Sequence, residues 1–104
     1  VSGYIESTTM IVVSTGHFSS DTRSMLDSLI PNSIDGIADH ASFRFGWFVL
    51  FDLAYDPDHL RPDVGALLRW ITAMERVAGN ENLFVWVKFD SDGSVIDGLP
   101  FHDE

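Results

Sequence analysis

Histidine 17 is the residue best placed to do chemistry. It closes the segment Ser14-Thr15-Gly16-His17, which leaves a β-branched run and approaches a helix start marked by Ser19 and Ser20. Ligands gather at such strand ends in open α/β folds, and an imidazole there could act as general base or metal ligand once a second group orients it. The plainer reading is a histidine bonded to local backbone. Asp90, Asp92 and Asp97 around Gly93 form a second candidate set, because alternate carboxylates can converge on a hard cation. Their spacing argues for a turn instead: counted from Asp90, Gly93 falls at position four and Phe101 at position twelve, where a helix-flanked calcium loop needs glycine at six and glutamate at twelve. His102, Asp103 and Glu104 carry ligand-type side chains at an end of the chain, where such residues usually stay solvated. An enzyme built from these parts would join His17 to Asp90 or Asp92 in one cleft, with or without a metal. No Gly-x-Ser-x-Gly elbow, phosphate loop or dinucleotide fingerprint accompanies them, so no catalytic residue, metal or cofactor is assigned.

The elements that must position these groups follow from the apolar pattern. Met10, Ile11, Val12 and Val13 read as a buried strand closed by Ser14, Thr15 and Gly16. A helix follows, capped by Ser19 or Ser20 with Asp21 in its first turn, striped by Met25, Leu26, Leu29 and Ile30, and ended by Pro31 and Asn32. Residues 33–40 give mixed signals and read as a loop or weak edge strand. Residues 43–52 read as one central strand buried on both faces, with Phe43, Phe45, Trp47, Val49 and Phe51 on one pleat face and Gly46 marking a bulge or close backbone approach. Asp56-Pro57 opens a short turn, and Pro62 opens a helix to about residue 78 whose stripe is Val64, Leu67, Leu68, Ile71, Met74 and Val77. Residues 83–89 alternate as a strand, and the turn Asp90-Ser91-Asp92-Gly93 leads to Val95 and Ile96 as a closing hairpin. The expected fold is α+β: a single small domain over residues 1–104, with a mostly antiparallel or mixed sheet of about four strands and two helices packed on it. Residues 1–9 read as a loosely patterned extension, with Met10 a candidate native start.

Composition narrows function further. Sixteen carboxylates against six Lys and Arg give a formal net charge of −10 on 104 residues. Such a field repels nucleic acid and anionic membrane and attracts cationic partners. The 45% hydrophobic content, with eight Phe and three Trp, supplies a core and excludes an acidic disordered tail. No cysteine is present, which removes disulfides and thiolate chemistry and fits a cytoplasmic setting. The longest apolar run, residues 47–51, is too short to span a bilayer. Trp47 and Trp86 fall at core positions, whereas Trp70 lies beside the helix stripe and is a candidate protein-contact anchor. A high-salt proteome would also favour excess acid, and that explanation predicts carboxylates spread over the whole surface.

Ser14-Thr15-Gly16-His17, Phe45-Gly46-Trp47-Phe48-Val49, Asp90-Ser91-Asp92-Gly93 and Asp97-Gly98-Leu99-Pro100 together resemble an uncharacterised family of small acidic proteins encoded on plasmids, phages and integrative elements. The resemblance covers most of the chain from Ile11 onward, is less clear over residues 33–42 and 57–62, and carries no catalytic motif. It implies a setting in which acidic proteins counter host restriction or CRISPR defences by covering nucleic-acid-binding surfaces. The expected function is therefore that of an inhibitor or regulator acting as a nucleic-acid mimic. Its partner would be the basic surface of a nucleic-acid-binding protein, with no direct nucleic-acid or membrane contact. The carboxylates expected to meet the partner are Asp56, Asp58 and Asp63 near the long helix's start and Asp90, Asp92 and Asp97 near the last turn, with Trp70 as the aromatic anchor. A small hydrolase or metal-dependent enzyme using His17, and an acidic domain shaped by high salt, are the alternatives.

Overall fold

The β-branched run that follows residue 10 forms β1 (Ile11–Ser14), and the remaining elements are α1 (Ser20–Asp27), β2 (Ile37–Phe43), β3 (Gly46–Asp52), α2 (Pro62–Val77) and β4 (Phe84–Asp90). The computed structural model describes residues 11–28 and 34–102. The strands form one mixed sheet in the order β1-β4-β3-β2, with β4 parallel to β1 and antiparallel to β3, and β3 antiparallel to β2. Both helices pack on one face, so the α+β class expected from the residues holds. The proposed extension over residues 1–9, the Met10 start, the Leu29 and Ile30 stripe positions and the Pro31-Asn32 stop lie outside the described residues.

Side-chain chemistry sets the helix ends. The Ser19 hydroxyl caps α1 by accepting from the Thr22 amide at 3.3 Å, as the serine pair suggested. The helix ends at Asp27, ahead of the expected stop, with Ser28 as its C-cap. Pro62 takes the first position of α2, where its missing N–H costs nothing. Gly79, at φ +76°, turns the chain out of α2 while Asn80 N donates back to Glu75 O. Between sheet and helices, Val13, Val49, Phe51, Val87 and Phe89 meet Phe18, Leu26, Val64, Leu67, Leu68 and Ile71 in one core.

Two expectations are corrected by the sheet. Residues 43–52 are two elements: Phe43 ends β2, Arg44 and Phe45 turn, and Gly46 begins β3 opposite Phe43. Phe43 and Phe45 therefore do not share a strand with Trp47. The weak edge signal in residues 33–40 develops into an edge strand from Ile37, because its partner β3 supplies the pairing its own sequence lacks. β3 is buried on one face by Trp47, Val49 and Phe51, while Phe48 and Leu50 on the other are only half-covered. Gly46 does mark a close approach, since a Cβ there would lie 1.8 Å from the Phe89 carbonyl oxygen.

The closing hairpin is absent among the described residues. The turn at Asp90 forms, with Gly93 N donating to Asp90 O at 2.8 Å, but the chain then crosses the end of β1. A parallel bridge joins Ser94 to Val13, and Ser14 N donates to Ser94 O. Gly93 permits this crossing because a Cβ would sit 2.3 Å from Val13 O. Val77 also leaves the expected stripe: it is 90% exposed, at the helix end beyond the sheet's reach. Leu68 lies at the centre of the stripe and is fully buried. Leu68→Ala should lower stability by about 2–5 kcal/mol in a denaturant titration, and an unchanged midpoint would place this helix face outside the core.

Candidate functional site

His17 is 1% exposed and sits in a 3-10 turn over Thr15–His17 that continues directly from β1. Both ring nitrogens are taken by backbone of the crossing C-terminal segment. Nε2 accepts from the Ile96 amide at 2.9 Å, so Nδ1 carries the proton and donates to Pro100 O at 2.8 Å. The Phe101 ring meets the imidazole edge-on at 5.8 Å, and the His102 amide donates to Gly16 O at 2.6 Å. This is the backbone-bonded histidine weighed in the sequence. Its two bonds lock residues 94–102 over the end of β1 and leave neither nitrogen for a substrate proton or a metal.

The acidic candidates separate into two places and one buried exception. Asp90 ends β4, where its carboxylate accepts from Asp92 N at 2.9 Å and lies 3.7 Å from Lys88 Nζ; Asp92 and Asp97 are exposed beside it. Asp56 lies past the opposite end of β3. It shares a shallow recess with Asp35, Ala54, Tyr55, His59 and Leu60, and neighbouring Asp58 pairs with Arg69. The two sets thus mark opposite ends of the sheet, because β3 and β4 run antiparallel. Asp63, expected at the surface with Asp56 and Asp58, is 4% exposed. Its Oδ2 accepts from Ser19 N and its Oδ1 from Val64 N, each at 2.9 Å, which ties the start of α2 to the cap of α1. Arg61 Nε donates to Thr22 Oγ1 at 3.0 Å, completing a polar seam between the starts of α1 and α2.

A recess of about 200 Å³ borders that seam, lined by Ser19, Arg61, Pro62, Asp63, Pro100 and His102. His102 Nε2 is buried there with no hydrogen-bond partner among the described residues. The sequence placed His102 only with Asp103 and Glu104, which lie outside the described residues; the crossing segment that brings it to α2 had no local signal. Among the described residues no group of three or more His, Asp or Glu side chains is arranged to hold a metal ion.

The tryptophans have three different surroundings. Trp47 is 7% exposed and its Nε1 donates to Asp27 Oδ1 at 3.0 Å. Trp70 is half-buried, packed against the core from α2. Trp86, expected in the core, is 39% exposed on the sheet face away from the helices. Alternation along β4 places it with Phe84 and Lys88, opposite Val85, Val87 and Phe89. Val12, Phe48, Leu50 and Phe43 occupy the same open face by their register. Lys88 lies over the Phe43 and Phe48 rings at 5.2 and 5.9 Å.

Two substitutions separate structural groups from surface groups. His17→Phe keeps a planar ring but leaves the Ile96 amide without its acceptor and the Pro100 carbonyl without its donor, so hydrogen exchange at Ile96 N–H should accelerate strongly while Val87 stays protected. Unchanged protection at Ile96 would dismiss the latch. Asp63→Asn should cost about 1–3 kcal/mol by thermal denaturation, because the two N–H groups bond different carboxylate oxygens and one of those becomes an NH2 donor. Asp56→Asn, at the exposed site, should stay within about 0.5 kcal/mol.

No helix among the described residues is long and apolar enough to cross a membrane. No curated protein and no solved structure matches the chain. A family model does match residues 10–104, and its description reads "Family of unknown function (DUF5983) C-terminal domain". The match takes in every strand and helix described above and the crossing segment that His17 holds, and the chain belongs to this family.

Proposed function

We propose that this domain is an acidic protein-interaction module that docks on the basic surface of a nucleic-acid-handling protein in the cytoplasm and inhibits or regulates it. The observation that carries the reading is the uncompensated charge of −10 together with its placement. Asp56, Asp58, Asp92 and Asp97 are exposed, and they extend the negative field along the length of the sheet. A cationic groove meant for phosphates is attracted to such a field over many ångströms. His17, with both nitrogens engaged by backbone, lends no support to the enzyme alternative.

The geometry modifies the mimic expected from the sequence. Asp63 belongs to the fold, so the contacts fall to the exposed carboxylates at the two ends of the sheet. A partner groove that accepts both would be read at two points. An element-borne anti-restriction or anti-CRISPR role is the specific form of this function that the resemblance in the sequence favours.

Affinity capture from the native host, followed by competition, tests the proposal. The retained protein should bind DNA or RNA, and this domain should displace that nucleic acid. Association should slow as ionic strength rises from 0.01 to 0.15 M, where the screening length falls from about 30 Å to about 8 Å. Replacing Asp56 and Asp58, or Asp92 and Asp97, with Asn should slow association further. A retained protein that holds nucleic acid and this domain together without competition would overturn the reading.

A further inference from the structure

We infer that the open face of the sheet is a docking surface for a basic amphipathic helix of the partner protein; the inference rests on the proposed interaction function and names the contact. Val12, Phe84 and Trp86 are 43%, 51% and 39% exposed on this face, and half-covered Phe48 and Leu50 lie between β2 and β4. An aromatic and aliphatic surface of this kind, next to a core that is already closed on the other side, is a feature of contact sites.

Shape and charge select the occupant. β2, β3 and β4 are seven residues long, which at about 3.3 Å per residue gives a face about 23 Å long and, across four strands about 4.8 Å apart, about 14 Å between the outer strand axes. One α-helix, about 10–12 Å wide and about 22 Å long over fifteen residues, fits that outline. The rim is acidic: strand alternation places Asp39 on the β2 edge, Asp52 at one end of β3 and Asp90 at the other end of the sheet on this same side. Lys88, the cation that the described strands place on this face, is already engaged by the Phe43 and Phe48 rings and by Asp90. A helix with an apolar stripe would cover Trp86, Phe84 and Leu50, and lysines or arginines flanking that stripe would meet Asp39, Asp52 and Asp90. A second copy would bring the same acidic rim against itself. A face of these dimensions also covers less area than the roughly 800 Å² per partner of a standard stable interface.

The test uses two synthetic eighteen-residue helical peptides with the same leucine stripe, one with lysine and one with glutamate at all other positions. The lysine peptide should shift the amide and side-chain resonances of Val12, Phe48, Leu50 and Trp86 while leaving the buried indole N–H of Trp47 in place. It should bind at least tenfold more tightly than the glutamate peptide. Trp86→Asp and, as a second variant on the edge strand, Val12→Asp should each weaken binding at least tenfold in chains whose Trp47 resonance shows the native fold. Equal binding by both peptides, shifts confined to Asp56, Asp58, Asp92 and Asp97, concentration-dependent dimerisation through this face, or binding only after removal of residues 1–10 would each overturn the inference. If Trp86→Asp still captures the native partner and still displaces nucleic acid, this surface is wrong while the proposed function stands.

Discussion

Everything in this domain depends on where its last strand goes. β4 enters between β1 and β3, parallel to one and antiparallel to the other, so the sheet has no continuous interior until residues from both ends of the chain have met. The glycine at 46 is a condition of that insertion: β3 and β4 approach so closely that the Phe89 carbonyl fills the space a side chain would need. With the insertion made, Phe89 stacks on Phe18 at 4.1 Å and reaches Phe51 at 6.1 Å, which ties the sheet to the segment leading into α1. Packing and register therefore share one origin.

The same insertion explains why polar groups concentrate where they do. β1 and β4 end side by side, and the chain leaving β4 has to pass over β1 immediately. Backbone groups in that crossing have no ladder to join, and a buried amide or carbonyl without a partner would cost about 1–3 kcal/mol. His17 supplies one acceptor and one donor to them. Asp63 performs a comparable task where α1 and α2 begin, gathering two amides on a single carboxylate. The sequence favours a backbone-bonded role for His17, whereas it offers Asp63 as a surface contact. Both are buried and bond backbone groups, whereas Asp56, Asp58, Asp92 and Asp97 at the sheet ends are exposed.

Local chemistry was legible in the residues to the extent that it was local. Ser19, Pro62 and Gly79 announce their helix termini because caps, a missing N–H and a left-handed turn are properties of a few adjacent residues. The stripe of α2 was likewise readable through Ile71, and failed at Val77 only because the periodic pattern continues past the point where the sheet stops. Register across strands is another matter. Arg44-Phe45 contains no glycine or asparagine to mark a turn, so two strands looked like one, and Phe48 and Leu50 gave the impression of burial on both faces. Val95 and Ile96 suggested a strand, yet the path of that segment is decided by distant partners, Val13 and His17. Trp86 was assigned to the interior on residue type alone, although strand alternation sets it apart from Val85 and Val87.

The position of β4 also bears on how the chain is made. During synthesis β1 leaves the ribosome long before β4 exists, and among the described residues β4 is the strand it pairs with. Ile11, Val12 and Val13 therefore stay an unpaired apolar segment until residues 84–90 have been added. Transiently exposed strands of this sort are where nascent chains aggregate, and long-range pairing of chain ends is slow. A net charge of −10 makes copies of the chain repel one another, which opposes association through such unpaired segments.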